Sequence, residues 1–267
     1  DDLDALFADN ADTSQIDQPA DIIESPETAS KGQRSSQENN IEKERAQARK
    51  QLGQFLTSLQ RSGLLHLYAG NRYQFRHSLI AAYLASLSLT DAGIDTLLEK
   101  AQIPAWSDAI ACAALHTPFD ELAEAYLSAP ADILYSNVLT AASWLKYAPT
   151  DASWRRAVLR TLGNIFVAQD QFPMVRERTA ATLVGTRDRS ALVIFKRAVR
   201  HPDPDVRRLA CLGIGAMRAE DAIEDIASLL NDGNQDVRLA AGLGLGAIGT
   251  DAAIDEMVGG LTEGSEQ

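Results

Sequence analysis

The chain has 267 residues, of which 45% are hydrophobic and only 6% aromatic, and its formal net charge is −12. This length suits one large domain or two smaller ones, and the apolar content is sufficient for a core. Nine acidic residues and no basic residue lie in positions 1–30, so the remaining 237 residues carry a net charge of only −3. A protein-wide basic field of the kind that attracts nucleic acid is therefore excluded.

The cysteines indicate the redox environment of the protein, and the longest uncharged run indicates whether a membrane-spanning helix is present. Cys112 and Cys211 each lie in an apolar stretch, which argues against a disulfide framework and favours a reducing, cytoplasmic setting. The longest run without Asp, Glu, Lys or Arg covers 14 residues, 77–90, and is shorter than the ~18 residues that a membrane helix needs. Because the chain begins at Asp1 rather than Met, we expect it to be a piece of a longer protein.

Residues 1–40 combine the acidic block with prolines and many Ser, Thr, Gln and Asn residues. They hold too few apolar side chains to form a core of their own. This composition is typical of a disordered acidic linker. A partner-binding acidic tail is the functional alternative for the same segment.

Helical spacing of apolar residues predicts a helix over 41–62, which Gly63 ends. Two short strands, 64–68 and 73–77, are then predicted because they flank a tight turn. A helix over 79–89 follows. The order of helix, hairpin and helix predicts a partial winged-helix segment over residues 41–90.

Residues 91–172 show only helical patterns, and prolines separate them. Proline cannot continue a helix, so each one marks a helix start or end. The predicted helices cover residues 94–101, 106–115, 120–128, 133–147 and 152–168. Helices of this length with short connections predict stacked helical hairpins.

A sequence repeat with a period of 31 residues occupies the last hundred residues. Asp205-Val206-Arg207 recurs 31 residues later as Asp236-Val237-Arg238, and Gly213-Ile214-Gly215-Ala216 recurs as Gly244-Leu245-Gly246-Ala247. One period earlier, Val175-Arg176 corresponds to Val206-Arg207. Three units are predicted, 173–203, 204–234 and 235–265, each with two helices. In the middle unit, Asp205 is the predicted N-cap of the first helix. A fixed period of this size predicts an α-solenoid, in which each hairpin is sealed by its neighbours.

These units resemble HEAT repeats of the short bacterial form, in which Asp-Val-Arg opens the first helix and a Leu-Gly-x-Gly/Ala run closes it. The resemblance covers residues 173–261. It implies a mainly α fold, an α-solenoid of HEAT-like helical hairpins, preceded here by the partial winged-helix segment with one β-hairpin.

No catalytic, metal or cofactor site is predicted. The segment Gly244 to Gly249 matches the dinucleotide fingerprint G-x-G-x-x-G, but it falls within a predicted repeat helix rather than after a strand. Close approach of neighbouring helices explains these glycines better. The chain also contains no His-Glu-x-x-His, no Cys-x-x-Cys and no phosphate-binding G-x-x-x-x-G-K-[ST] motif.

Charges on the second helices of the repeats change sign along the chain, from basic in the first unit to acidic in the next two. A stripe for a nucleic-acid backbone would keep one sign, so a protein partner is the better prediction. The predicted partner-binding residues are Arg189, Lys196, Arg197, Arg200, Glu220, Glu224 and Asp225. Two alternatives remain open, which are ordinary surface charge and nucleic-acid binding on the basic residues 189–200.

A second resemblance lies between residues 63 and 86. The residues that carry it are Gly63-Leu64-Leu65, Tyr73-Gln74-Phe75-Arg76-His77 and Tyr83-Leu84-Ala85. They resemble the end of the winged-helix region in NACHT-type STAND NTPases, although Ala82 stands where that family usually has Glu and Ser86 where Ala is common. The resemblance implies that His77 faces the nucleotide of the parent protein and helps to hold its ADP-bound state.

Together the two resemblances predict a non-catalytic sensor or scaffold, the C-terminal regulatory module of a prokaryotic NACHT-type signalling ATPase. Any ATPase activity would lie upstream of residue 1. The expected partner is a protein ligand or the parent's own NTPase core, with no cofactor, metal or membrane. The alternatives are a stand-alone HEAT-repeat adaptor and a phycobilin lyase-like HEAT enzyme.

Overall fold

The structure is a computed structural model that describes residues 31–68 and 72–264. Within these ranges it contains thirteen α-helices and one two-stranded sheet, which confirms the predicted mainly α fold. The predicted acidic linker lies outside the described residues as far as position 30. The chain divides into two compact units, Asp1–Gln74 and Phe75–Gln267.

The first unit contains a long helix and most of the β-hairpin. Helix α1 runs over Lys31–Arg61, so it begins ten residues before the predicted start. Gly63 has a φ of +77°, and the N–H of Leu64 donates to the carbonyl of Leu59, which closes the helix as predicted. Strand β1, Leu65–Tyr68, then pairs with β2, Arg72–Phe75.

The described part of the second unit, which ends at residue 264, contains twelve helices in six consecutive pairs. In chain order the pairs are α2 Ser78–Leu87 with α3 Ile94–Ala101, α4 Ser107–Ala113 with α5 Asp120–Ser128, α6 Ser136–Trp144 with α7 Arg155–Val167, α8 Pro173–Gly185 with α9 Arg189–Ala198, α10 Pro204–Ala216 with α11 Ile223–Ala227, and α12 Gln235–Ile248 with α13 Asp251–Gly264. Each first helix packs on the first helix of the next pair, from α2 to α12 without a break. The second helices also meet, α3 with α5, α7 with α9 and α11 with α13. This arrangement is the predicted α-solenoid.

Helix α2 belongs to this row, although its sequence predicted the last helix of a winged-helix segment. It packs on α4, and its buried residues are Ala82 and Ser86. These are the two positions at which the chain departs from the NACHT pattern. Small side chains here let α2 approach α4 closely, and the ring Nε2 of His116 lies 3.0 Å from the carbonyl of Ser86.

The core runs along the space between the two rows of helices. At α5 to α7, Trp144 packs edge-on against Phe119, with ring centroids 5.3 Å apart. Further along, Phe166 of α7 meets Phe195 of α9 at 5.6 Å. Each of these two ring contacts joins one helix pair to the next. Each helix pair therefore covers the apolar face that the preceding helix pair leaves open.

The 31-residue period appears directly in the helix starts, because α8, α10 and α12 begin at Pro173, Pro204 and Gln235. The predicted cap at Asp205 was wrong by two positions. Asp203 caps α10, and its carboxylate accepts the N–H of Asp205. Pro204 explains the earlier start, since its fixed φ and missing N–H suit the first helical position.

Candidate interaction surface

The basic helix α9 and the acidic helix α11 contact each other through charged side chains. The ammonium of Lys196 lies 3.4 Å from the Asp225 carboxylate and donates to the carbonyl of Asp221 at 2.7 Å. The guanidinium of Arg200 lies 3.5 Å from the same Asp225 carboxylate. Some of the opposite charges that the sequence places on α9 and α11 therefore attract each other and join two successive helix pairs.

The other predicted partner-binding residues are separate from these ion pairs. Glu220, in a 3₁₀ turn before α11, and Glu224, on α11, are exposed. Arg189 and Arg197 border a groove beside α7, and Arg197 also lines the small pocket formed with Lys196, Arg200 and Asp225. The structure thus places Lys196, Arg200 and Asp225 at the contact of α9 with α11, and Arg189 and Arg197 in a groove beside α7. Glu220 and Glu224 belong to neither. Their role in partner binding stays a prediction.

A groove of about 1290 Å³ lies between α7, α9 and the loops that precede them. We call it the arginine groove, because five exposed arginines line it: Arg156, Arg160, Arg187, Arg189 and Arg197. Among the described residues, no carboxylate lies within ion-pair distance of any of the five. Their charges are therefore available to a partner.

The floor of the arginine groove is apolar. Two acidic residues also line the groove, one exposed and one largely buried. Leu159, Ile194 and Val167 contribute the apolar surface between the two helices. Asp151 is exposed at the end of the groove, whereas Asp188 is largely buried and paired. The groove therefore offers a strongly basic rim around a strip that can bind aliphatic side chains.

A buried ion pair fixes the relative positions of α7 and α9. Arg155 donates to Asp188 from Nε at 3.1 Å and from a terminal nitrogen at 2.6 Å, and it also donates to the carbonyls of Leu145 and Ala148. Asp188 caps α9 by accepting the N–H of Ser190. Burial alone would raise the pKa of Asp188, but the hydrogen bonds from Ser190 and Arg155 outweigh it and lower that pKa.

Similar arginine contacts recur in the later pairs. Arg176 contacts the carboxylates of Asp203 and Asp205 at 3.0 and 3.2 Å. Arg207 donates to both carboxylate oxygens of Asp232, at 2.8 and 2.9 Å. The hydrogen bond from Arg207 is the main reason that the pKa of Asp232 is lowered. The Arg of the Asp-Val-Arg segment therefore holds the loop that leads to the next pair.

The glycines of the apparent dinucleotide fingerprint have separate structural roles. A Cβ on Gly244 would lie 2.7 Å from the carbonyl oxygen of Cys211, so this glycine permits close contact of α10 with α12. Gly249 ends α12 with a φ of +72°. Gly246 has open space beside it. Close helix packing, the predicted reason for these glycines, holds for Gly244 alone. Gly249 instead ends the helix, and Gly246 has neither role.

The described residues contain no group of three or more His, Cys, Asp or Glu that could hold a metal ion. Both cysteines are buried thiols, and burial raises the pKa of Cys211 to about 12. His77 is exposed and immediately precedes α2. Within the described ranges, none of the helices combines the length and the hydropathy needed to cross a membrane.

The sequence did not reveal the arginine groove as a site. Arg156 and Arg160 are four residues apart and so share one face of α7, which is a signal that the spacing could have given. The other three arginines of the groove lie about thirty residues further along the chain, in the next helix pair. Only the pairing of α7 with α9 brings the two sets together.

An α-solenoid of stacked helix pairs is the class of protein that this fold defines. In a comparison with protein-family models, residues 192–267 match the family of HEAT repeats. The match begins within α9 and covers the last two helix pairs, which confirms the resemblance for that part of the chain. A comparison with curated proteins found no match.

Proposed function

We propose that the chain is a non-catalytic protein-interaction scaffold. The HEAT-repeat match over residues 192–267 carries this proposal, because HEAT repeats generally mediate protein interactions. The continuous row from α2 to α12 supports it, since such a row presents an extended surface on a fixed frame. The arginine groove supplies a charged surface on that frame.

We further propose that this scaffold is the C-terminal regulatory module of a prokaryotic NACHT-type signalling ATPase. The resemblance between residues 63 and 86 supports this assignment. His77 is exposed beside the N-terminus of α2, where backbone N–H groups favour an anion such as phosphate. In the parent, ligand binding to the scaffold would shift the population from the closed, ADP-bound state.

The DNA immediately 5′ of codon 1 tests the NACHT assignment. We expect an in-frame segment that encodes a G-x-x-x-x-G-K-[ST] loop. A reading frame without it would overturn the assignment and leave a stand-alone HEAT adaptor. Binding of an added bilin would instead favour the lyase-like alternative.

The parent protein allows a sharper test of His77. Replacement His77→Ala should speed ADP release by about tenfold, because a hydrogen bond to a charged phosphate is lost. The matched control is His66→Ala, on β1. Equal ADP release from the two variants would contradict the nucleotide-sensing role of His77.

A further inference from the structure

Five arginines that have no ion-pair partner in the described part of the chain surround one apolar strip, which gives the groove a concentrated positive charge. Arg156 and Arg160 lie on α7, and Arg189 and Arg197 lie eight residues apart on α9. Arg156 and Arg160, four residues apart on one face of α7, repel each other, and an anionic partner removes that cost. We propose that the arginine groove binds an extended acidic segment of a protein partner; this proposal rests on the scaffold function proposed above and names the partner's chemistry.

The dimensions of the groove fit a short peptide. The lining residues of α7 extend from Arg156 to Val167, which is about 16 Å of helix. An extended chain covers this distance with about five residues. Its carboxylates would meet the arginines on both rims, where the planar guanidinium binds a carboxylate through two parallel hydrogen bonds.

The floor and the surroundings favour a peptide over a nucleic acid. Leu159, Ile194 and Val167 give aliphatic side chains of a peptide a surface that a sugar-phosphate backbone would not use. The basic surface also ends after α9, because Glu220 precedes α11 and Glu224 and Asp225 lie on it. A nucleic acid that continued along the second helices would meet these acids, whereas a peptide of five residues stops before them.

Residues 1–30 provide a suitable probe sequence, since they contain nine acidic residues, no basic residue and several aliphatic ones. A fluorescent synthetic peptide of this sequence is titrated, as a separate molecule, against the full chain. It is also titrated against a chain that begins at Lys31, so that the same sequence in the protein does not compete. We expect the peptide to bind the full chain, and to bind the chain from Lys31 at least as tightly with a Kd on the order of 10 μM at low salt; binding to both chains should weaken as salt is added.

The decisive variants reverse two charges in the groove. The double variant Arg156→Glu/Arg197→Glu should weaken peptide binding by at least about tenfold. The matched control, Arg49→Glu/Arg178→Glu, changes the net charge equally at two exposed positions outside the groove and should leave the Kd within about twofold. If the reversal variant does not fold by circular dichroism, Arg156→Gln/Arg197→Gln replaces it and should weaken binding by about threefold or more.

Three results would overturn the proposal. The first is no saturation by the peptide at millimolar concentration with either chain. The second is an equal loss of binding in the groove and control variants. The third is a single-stranded oligonucleotide of equal charge that binds tenfold more tightly than the peptide and loses affinity in the groove variant, which would assign the groove to nucleic acid. None of these results bears on the reading-frame test, so the two proposals can fail independently.

Discussion

Gly215 of α10 and Gly244 of α12 face each other at the contact between their helices, and neither has room for a side chain. A Cβ on Gly215 would lie 2.6 Å from the Cα of Gly244. Both glycines are buried within helices, Gly215 in the last turn of α10 and Gly244 inside α12, and glycine within a helix otherwise costs stability. The close approach of two backbones therefore explains Gly215 in one repeat and Gly244 in the next, whereas Gly213 leaves room for the ring of Phe195 and Gly246 lies beside open space.

Replacement Gly215→Ala should lower the free energy of unfolding by at least about 1 kcal/mol, because the added methyl forces α10 away from α12. Urea denaturation followed by circular dichroism measures this change. The matched control is Gly246→Ala on α12, which has open space beside it and should gain about 0.5–1 kcal/mol from helix propensity. A Gly215→Ala protein as stable as the Gly246→Ala protein would show that the two helices do not meet here.

The Arg207–Asp232 pair should make stability depend on acid. The hydrogen bond from Arg207 lowers the pKa of Asp232 in the folded protein, so the unfolded chain takes up this proton first as the pH falls. The contribution is complete above about pH 4 and is lost as the pH falls through the lowered folded pKa. Replacement Asp232→Asn should cost about 1–3 kcal/mol at pH 7 and reduce the loss of stability in acid.

Chemical denaturation at pH 7 and at pH 3 checks the Asp232 prediction. Asp255→Asn, an exposed substitution on α13, provides the control and should change stability by less than about 0.5 kcal/mol. The account of this pair would be wrong if Asp232→Asn and Asp255→Asn behaved alike at both pH values.

The contact of Lys196 with Asp225 should appear as a small coupling energy between α9 and α11. A double-mutant cycle with Lys196→Ala and Asp225→Ala should give about 0.5 kcal/mol, since both side chains are partly exposed. A comparison cycle combines Lys196→Ala with Glu224→Ala, at an exposed neighbouring position, and should give no coupling energy. Equal coupling in the two cycles would mean that the charges interact only through a general field.

Both thiols should be protected in the folded protein. Cys211 is fully buried and burial raises its pKa to about 12, and burial is also the main cause of the raised pKa of Cys112. Almost no reactive thiolate is therefore present at pH 8. Ellman's reagent should label neither cysteine in native buffer over an hour and both in 6 M guanidinium chloride. Rapid native labelling of a Cys112→Ser protein would contradict the burial of Cys211.

The repeat region was the part of the fold that the sequence could predict. A fixed period indicates where the helices recur, and it also indicates that each unit packs on the unit that follows it in the chain. The helix starts at Pro173, Pro204 and Gln235 reproduce the 31-residue spacing. The place of α2 was harder to predict. Its local pattern of a hairpin followed by a helix predicted the winged-helix segment, and that pattern gave no sign that α2 also packs on α4 at the start of the row.

Charge roles depended on stacking in the same way. The sign change between α9 and α11 was visible in the sequence, but the pairing of Lys196 with Asp225 depends on how the two pairs align. The arginine groove depends on it as well, since Arg160 and Arg197 belong to different pairs. Sequence spacing describes one helix face at a time, whereas a surface of a solenoid combines faces from several pairs.

Hydrogen exchange followed by mass spectrometry tests the central claim, that each helix pair is sealed by its neighbours. Helix α10 lies between α8 and α12, and Val206, Ala210, Cys211 and Ile214 are fully buried. Its amides should exchange only through cooperative unfolding, orders of magnitude more slowly than those of the exposed residues 45–55 of α1. Exchange of α10 at the rate of that α1 segment would contradict the stacked arrangement.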